Sequence, residues 1–102
     1  MNKKNFKKIA NSFSKDLAKD LKSDSFKKAF YSELLKLQIA EEVVKLRKKR
    51  GLTQKDLAQK INTTQAVVSR IETAQVFPST NIIQRICNNL GVEAKFEFCN
   101  IK

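Results

Sequence analysis

Gln65, Ala66, Ser69 and Arg70 are the side chains of this 102-residue chain best suited to recognition chemistry. A glutamine amide can pair in bidentate fashion with adenine, an arginine guanidinium with guanine, and an alanine methyl can touch the methyl of thymine. On a helix opening at Thr64, a turn of about 100° per residue puts Gln65, Ala66, Ser69, Arg70 and Thr73 on one face, with Val67, Val68 and Ile71 opposite. The polar face suits base edges in a major groove, and Gln65 and Arg70 are its main candidates. Gln54 opens the preceding helix, where its amide and the free backbone N–H groups are expected to face outward and to fit a phosphate.

Two short helices joined by a tight turn must position these groups. Thr53 can cap a helix carrying Leu57, Ala58 and Ile61, and Thr64 a second carrying Val68 and Ile71. Asn62 lies between them and tolerates the left-handed backbone that a sharp turn demands. Upstream, Phe6, Ile9, Phe13, Leu17 and Leu21 recur every three or four residues, predicting an amphipathic helix over residues 6–21. Such a helix packs onto the domain, is offered to a partner protein, or lies on a membrane surface. Ser23 to Ser25 interrupt that pattern and cap a second helix. In it Phe26, Phe30, Leu34 and Leu37 lead into Ala40, Val43, Val44 and Leu46, as one long helix or two meeting near Gln38. Arg47, Lys48, Lys49 and Arg50 close this helix at the negative end of its dipole, and Gly51 is placed as its stop.

Downstream, Pro78 and Ser79 start a further helix whose core face is Ile82, Ile83, Ile86, Cys87 and Leu90, and Gly91 ends it. The tail alternates Val92, Ala94, Phe96 and Phe98 with Glu93, Lys95 and Glu97, which predicts a strand. A lone strand leaves its backbone groups unpaired, so it should pair with a sister copy or another protein's sheet; the other reading folds the tail back on the helices.

Composition narrows the function classes. A net charge of +11 favours a polyanionic partner, without choosing between DNA, RNA and acidic membrane. Histidine is absent and the two cysteines show no metal-type spacing, so no metal, no cofactor and no histidine-based catalysis are expected. The acidic residues mostly sit at helical spacing beside lysines, and an enzyme is not the reading. One Tyr and no Trp leave few platforms for stacking RNA bases. Cys87 falls on an apolar stripe and reads as core, and both cysteines read as reduced thiols. The basic N-terminus lacks the apolar stretch of a signal peptide, and no segment approaches membrane-spanning length, so a cytoplasmic protein without membrane attachment is expected.

The run Gly51-Leu52-Thr53-Gln54, then Leu57-Ala58, Gln65 and Ser69-Arg70-Ile71-Glu72 resembles the Xre or phage-repressor helix-turn-helix family over Gln38 to Gly91. That resemblance implies DNA contacts from Gln54, Gln65, Ala66 and Arg70, and a structural salt bridge between Arg47 and Glu72. Thr64, Ser69 and Thr73 complete the expected DNA-binding set. Two places depart from the family pattern: Asn62 stands where a Gly is usual, and Thr73-Ala74 where Asn-Gly is common. Ser25-Phe26-Lys27-Lys28-Ala29-Phe30, leading through Leu34 and Leu37 into Ile39-Ala40, is similar to the N-terminal helix of HigA-type antitoxins. This second resemblance implies a dimer that binds double-stranded operator DNA, represses its own operon and neutralises a RelE/HigB-like mRNA-cleaving toxin. The alternative is a stand-alone Xre-type regulator without a toxin partner. Residues 1–37 carry ten lysines against four acidic residues, so a grip on a basic toxin should rest on apolar stripes or strand pairing.

The expected architecture is therefore all-α: a lambda-repressor-like helix-turn-helix bundle with an N-terminal helical extension and a short C-terminal β-strand. Residues 1–37 form the extension, 38–91 the DNA-binding domain and 92–102 the strand and tail. Phe6, Phe13, Leu17, Phe26, Phe30, Val92, Phe96 and Phe98 are the expected partner or dimer contacts.

Overall fold

A computed structural model of the chain describes residues 24–100, and its regular structure there is helical throughout. Helix α1 spans Asp24–Lys49, α2 Gln54–Lys60, α3 Gln65–Glu72 and α4 Thr80–Leu90. The segment over residues 6–21, with Phe6, Phe13 and Leu17, lies outside the described residues.

α1 is one continuous helix and does not divide near Gln38. No Gly or Pro interrupts its sequence, and Leu37, Ala40 and Val43, three apart, are buried on one side. Positions 37 and 38, where the sequence suggests a boundary, lie in its interior. Phe26 is buried near its start and stacks on Phe30, with ring centroids 6.1 Å apart. Phe30 is half-buried and meets the exposed Tyr31 edge to face at 5.3 Å.

Each helix ends on a left-handed residue: Gly51 (φ 69°), Asn62 (φ 57°), Ala74 (φ 60°) and Gly91 (φ 63°). After α1, Leu52 N–H reaches Arg47 O at 3.1 Å; after α2, Thr63 N–H reaches Ala58 O at 2.9 Å; after α3, Gln75 N–H reaches Arg70 O at 3.0 Å. Each of these bonds closes six residues, the Schellman ending that satisfies carbonyls the helix leaves open. The starts are fixed too. Thr53, Thr64 and Ser79 accept hydrogen bonds from the backbone N–H of Asp56, Val67 and Ile82.

The core joins Val43 of α1, Leu57, Ala58 and Ile61 of α2 and its end, Val68 and Ile71 of α3, and Ile86 and Leu90 of α4. α3 packs on both α2 and α1. Two side chains expected in this core are placed otherwise. Ile83 and Cys87 are only half-buried and line a groove of about 680 Å³ between α1, α4 and the start of the tail. α4 turns Ile86 and Leu90 inward, which leaves its neighbouring stripe at the rim.

The expected C-terminal strand is not formed: residues 92–100 make no ladder. After Val92, whose N–H donates to Cys87 O, no backbone hydrogen bond among the described residues joins the tail to another segment. The physical reason is the one that makes lone strands rare: a strand is stabilised by its neighbour, and among the described residues no second strand lies beside this one.

Candidate nucleic-acid interface

α3 presents the recognition groups. Thr64, Gln65, Ala66, Arg70 and Thr73 are exposed, Ser69 is half-buried, and Val68 and Ile71 face the core. The Thr64 hydroxyl accepts from Val67 N–H at 3.3 Å, so this side chain is committed to opening the helix. The Thr73 hydroxyl donates to Ser69 O at 2.8 Å and accepts from the Gln75 amide at 2.9 Å, which turns it back onto the helix end. Gln65 and Arg70 remain as long polar side chains standing out from the face.

A carboxylate sets where that face stands. Glu72, at the last turn of α3, accepts from Arg47 Nε at 2.7 Å, from Arg47 Nη2 at 3.0 Å and from Gln54 Nε2 at 3.0 Å. Arg47 Nη1 donates at 2.8 Å to Leu52 O in the turn between α1 and α2. One guanidinium thereby ties the end of α1, the turn and the end of α3 together. The pair is well shielded, with side chains 12% and 4% exposed for Arg47 and Glu72. The hydrogen bond to Glu72 holds the Arg47 guanidinium above its ordinary value, more than offsetting the opposite effect of burial.

Gln54 is thus not directed wholly outward. One amide hydrogen is held by Glu72, leaving its second N–H and its oxygen for another partner. α2 itself opens with a reciprocal cap: Thr53 N–H donates to Asp56 Oδ2 and Asp56 N–H to Thr53 Oγ1, both at 3.0 Å. These bonds, the backbone one first, hold Asp56 below the usual carboxylate range.

Spacing does not single out two further participants. Arg85 of α4 places Nη1 3.3 Å from both Ile61 O and Asn62 O, clamping the turn that aims α3. Gln75 adds an exposed amide beside Thr73. Arg85 lies 23 and 24 residues from its acceptors, so only the folded packing of α4 reveals the contact. Lys48, Lys49 and Arg50 at the end of α1 and Lys55 and Lys60 on α2 are all exposed. Among the described residues no group of three or more Cys, Asp or Glu could hold a metal ion, and no helix is long and apolar enough to cross a membrane.

A capped helix pair whose second member shows amide, methyl and guanidinium groups to solvent, in a chain of net charge +11, defines a DNA-binding helix-turn-helix domain. The chain belongs to the Xre-like helix-turn-helix family, whose model matches residues 43–96, and that family consists of DNA-binding regulators that are typically not enzymes. It is also similar to endothelial differentiation-related factor 1 of Rattus norvegicus and to the protein of the same name from Mus musculus. Each is 27% identical over 74 residues, covering 72% of this chain and 50% of the relative. The chain thus spans about half the length of these curated relatives. No solved structure matches it significantly.

Proposed function

We propose that this protein is a sequence-specific transcriptional regulator that binds operator DNA as a dimer, with α3 in the major groove of each half-site. In this reading Gln65 and Arg70 select bases, Ala66 meets a thymine methyl, and Ser69 and Thr64 sit against the sugar-phosphate chain. Gln54 and Thr73 approach flanking phosphates through the atoms left after their internal bonds. The observation that carries the proposal is the exposed pair Gln65 and Arg70 on a helix fixed from behind by Arg47, Gln54 and Glu72. Half-sites should lie about one helical turn of DNA apart. Such a protein acts where the DNA is, so a cytoplasmic location in a cell without a nucleus belongs to the proposal.

Within it, the antitoxin reading gives residues 1–37 a second partner, a RelE/HigB-like toxin, and rests on the resemblance of Phe26 to Ala40 to HigA-type proteins. The alternative, a stand-alone Xre-type regulator without a toxin partner, is equally compatible with the unbroken α1. Leu37, at the end of the extension, is buried on the same side of α1 as Ala40 and Val43 of the domain, a packing role compatible with either reading. Binding of the chain to DNA from its own promoter, compared with scrambled DNA at matched salt, tests the regulator. Equal affinity for both would reject it. Co-expression with the neighbouring open reading frame separates the two refinements: rescue from that frame's toxicity supports an antitoxin, and no rescue leaves the stand-alone regulator.

A further inference from the structure

We infer that the tail, residues 92–100, is an antiparallel dimer strand that pairs with the same segment of a second copy about a two-fold axis at Phe96, its aromatic face closing the groove between α1 and α4. The inference rests on the dimeric reading above and says where the dimer is made and in what register.

Three observations converge on this segment. The rings of Phe96 and Phe98 are 71% and 91% exposed, while their centroids lie 5.0 Å apart. Two residues apart in sequence, they therefore share one side of the tail, as alternation in a strand requires. The groove is mostly apolar, with Ile39, Val43 and Leu46 on one wall and Ile83, Ile86 and Cys87 on the other, and residues 92–97 of the tail, Phe96 among them, run along it. Among the described residues, no backbone hydrogen bond after Val92 joins the tail to another segment, so its backbone polar groups stand open to a partner beside this groove.

Charge selects the occupant and the register. Glu93, Lys95 and Glu97 hold the alternate positions, which pairing as a strand would turn to the face opposite Phe96 and Phe98. An axis at Lys95 would set Lys95 against itself and Glu93 against Glu97 of the second copy, both repulsive. An axis at Ala94 would join Glu93 to Lys95 but would carry Phe98 past the paired segment. With the axis at Phe96, Lys95 faces Glu97 of the second copy and Glu97 faces its Lys95, while Ala94 lies opposite Phe98, small beside large. The segment is self-complementary in that register, which is what an isologous contact demands. At roughly 150–250 Å² for each aromatic side chain, the four rings of two tails supply at most about 600–1,000 Å², a large part of a standard interface.

Sedimentation equilibrium of the full chain tests the assignment. Lys95→Glu and Glu97→Lys should each weaken the dimer on the order of tenfold, because each turns two attractive cross-strand pairs repulsive. The double variant K95E/E97K should restore wild-type association. Equal mixing of the two single variants should give heterodimers, since every pair is then attractive. Glu93→Lys should have a small effect by comparison. Circular dichroism of each variant confirms that the helices are intact. A monomeric wild-type chain, or singles that leave the dimer unchanged, or a double variant no better than the singles, would overturn the assignment. If such a chain still prefers its promoter DNA, only the assignment falls; if that preference is also missing, the regulator reading falls with it.

Discussion

Arg47 Nε and Nη2 grip the two carboxylate oxygens of Glu72 at 2.7 and 3.0 Å, joining the last turn of α1 to the last turn of α3 across 25 residues of sequence. Because both side chains are largely shielded, the pair acts as a fixed strut behind the exposed face and not as a loose surface contact. Gln54 braces the same carboxylate, so a change at Glu72 releases three donors at once.

Removing one member should be severe. Glu72→Ala leaves the Arg47 guanidinium with only Leu52 O, and a loss of about 1–3 kcal/mol is expected for charged hydrogen bonds removed from a part-buried site. Urea denaturation measures it. Replacing both partners together, as Arg47→Met with Glu72→Leu, should recover much of that loss, and a double variant as unstable as the single would argue that the strut is not the origin.

Backbone strain should be visible at Ala74. An alanine at φ 60° bears a cost of about 1 kcal/mol that glycine escapes, so Ala74→Gly should stabilise the protein modestly. The reverse change at Gly91, where an added Cβ would meet nothing within 4 Å, should cost a similar amount through conformation alone. Thermal unfolding of the two variants should show shifts of opposite sign.

The cap on α2 makes part of the stability depend on acid. The folded pKa of Asp56 lies below its unfolded value, so its contribution is fully present above about pH 4 and fades as pH falls through the lower, folded pKa. Asp56→Asn should therefore be less stable than wild type at about pH 6, and the gap should narrow as pH falls below the usual carboxylate range. A gap that stays constant with pH would mean that the carboxylate charge is not what matters.

Base selection should reside in Arg70. Arg70→Ala should relax preference at one base pair and weaken operator binding by about 1–3 kcal/mol. Equal loss on operator and scrambled DNA would make Arg70 a phosphate contact. Arg85→Gln is a useful companion: it should loosen the turn at Ile61 and Asn62, lowering operator affinity at every base position alike.

Sequence spacing alone makes much of this legible, because the forces concerned are local. The caps at Thr53, Thr64 and Ser79, the left-handed stops at Gly51 and Asn62 and the exposed stripe of Gln65, Ala66 and Arg70 arise from hydrogen bonds within a helical turn and from a fixed rotation per residue. The Arg47 and Glu72 pairing is non-local, and family resemblance rather than spacing points to it. The alternating tail is also visible, but a strand is a relation between two segments, and among the described residues only one segment of that character is present.

Tertiary structure decided the rest. Spacing left open whether α1 divides near Gln38; the burial of Leu37, Ala40 and Val43 along one side of a single helix settles it as continuous. The inward turn of the Gln54 amide, the reach of Arg85 to the turn carbonyls and the half-buried placing of Ile83 and Cys87 all depend on how closely the helices approach. Residue types name the groups available for such contacts; only packing in three dimensions brings a donor on one helix within about 3 Å of an acceptor on another.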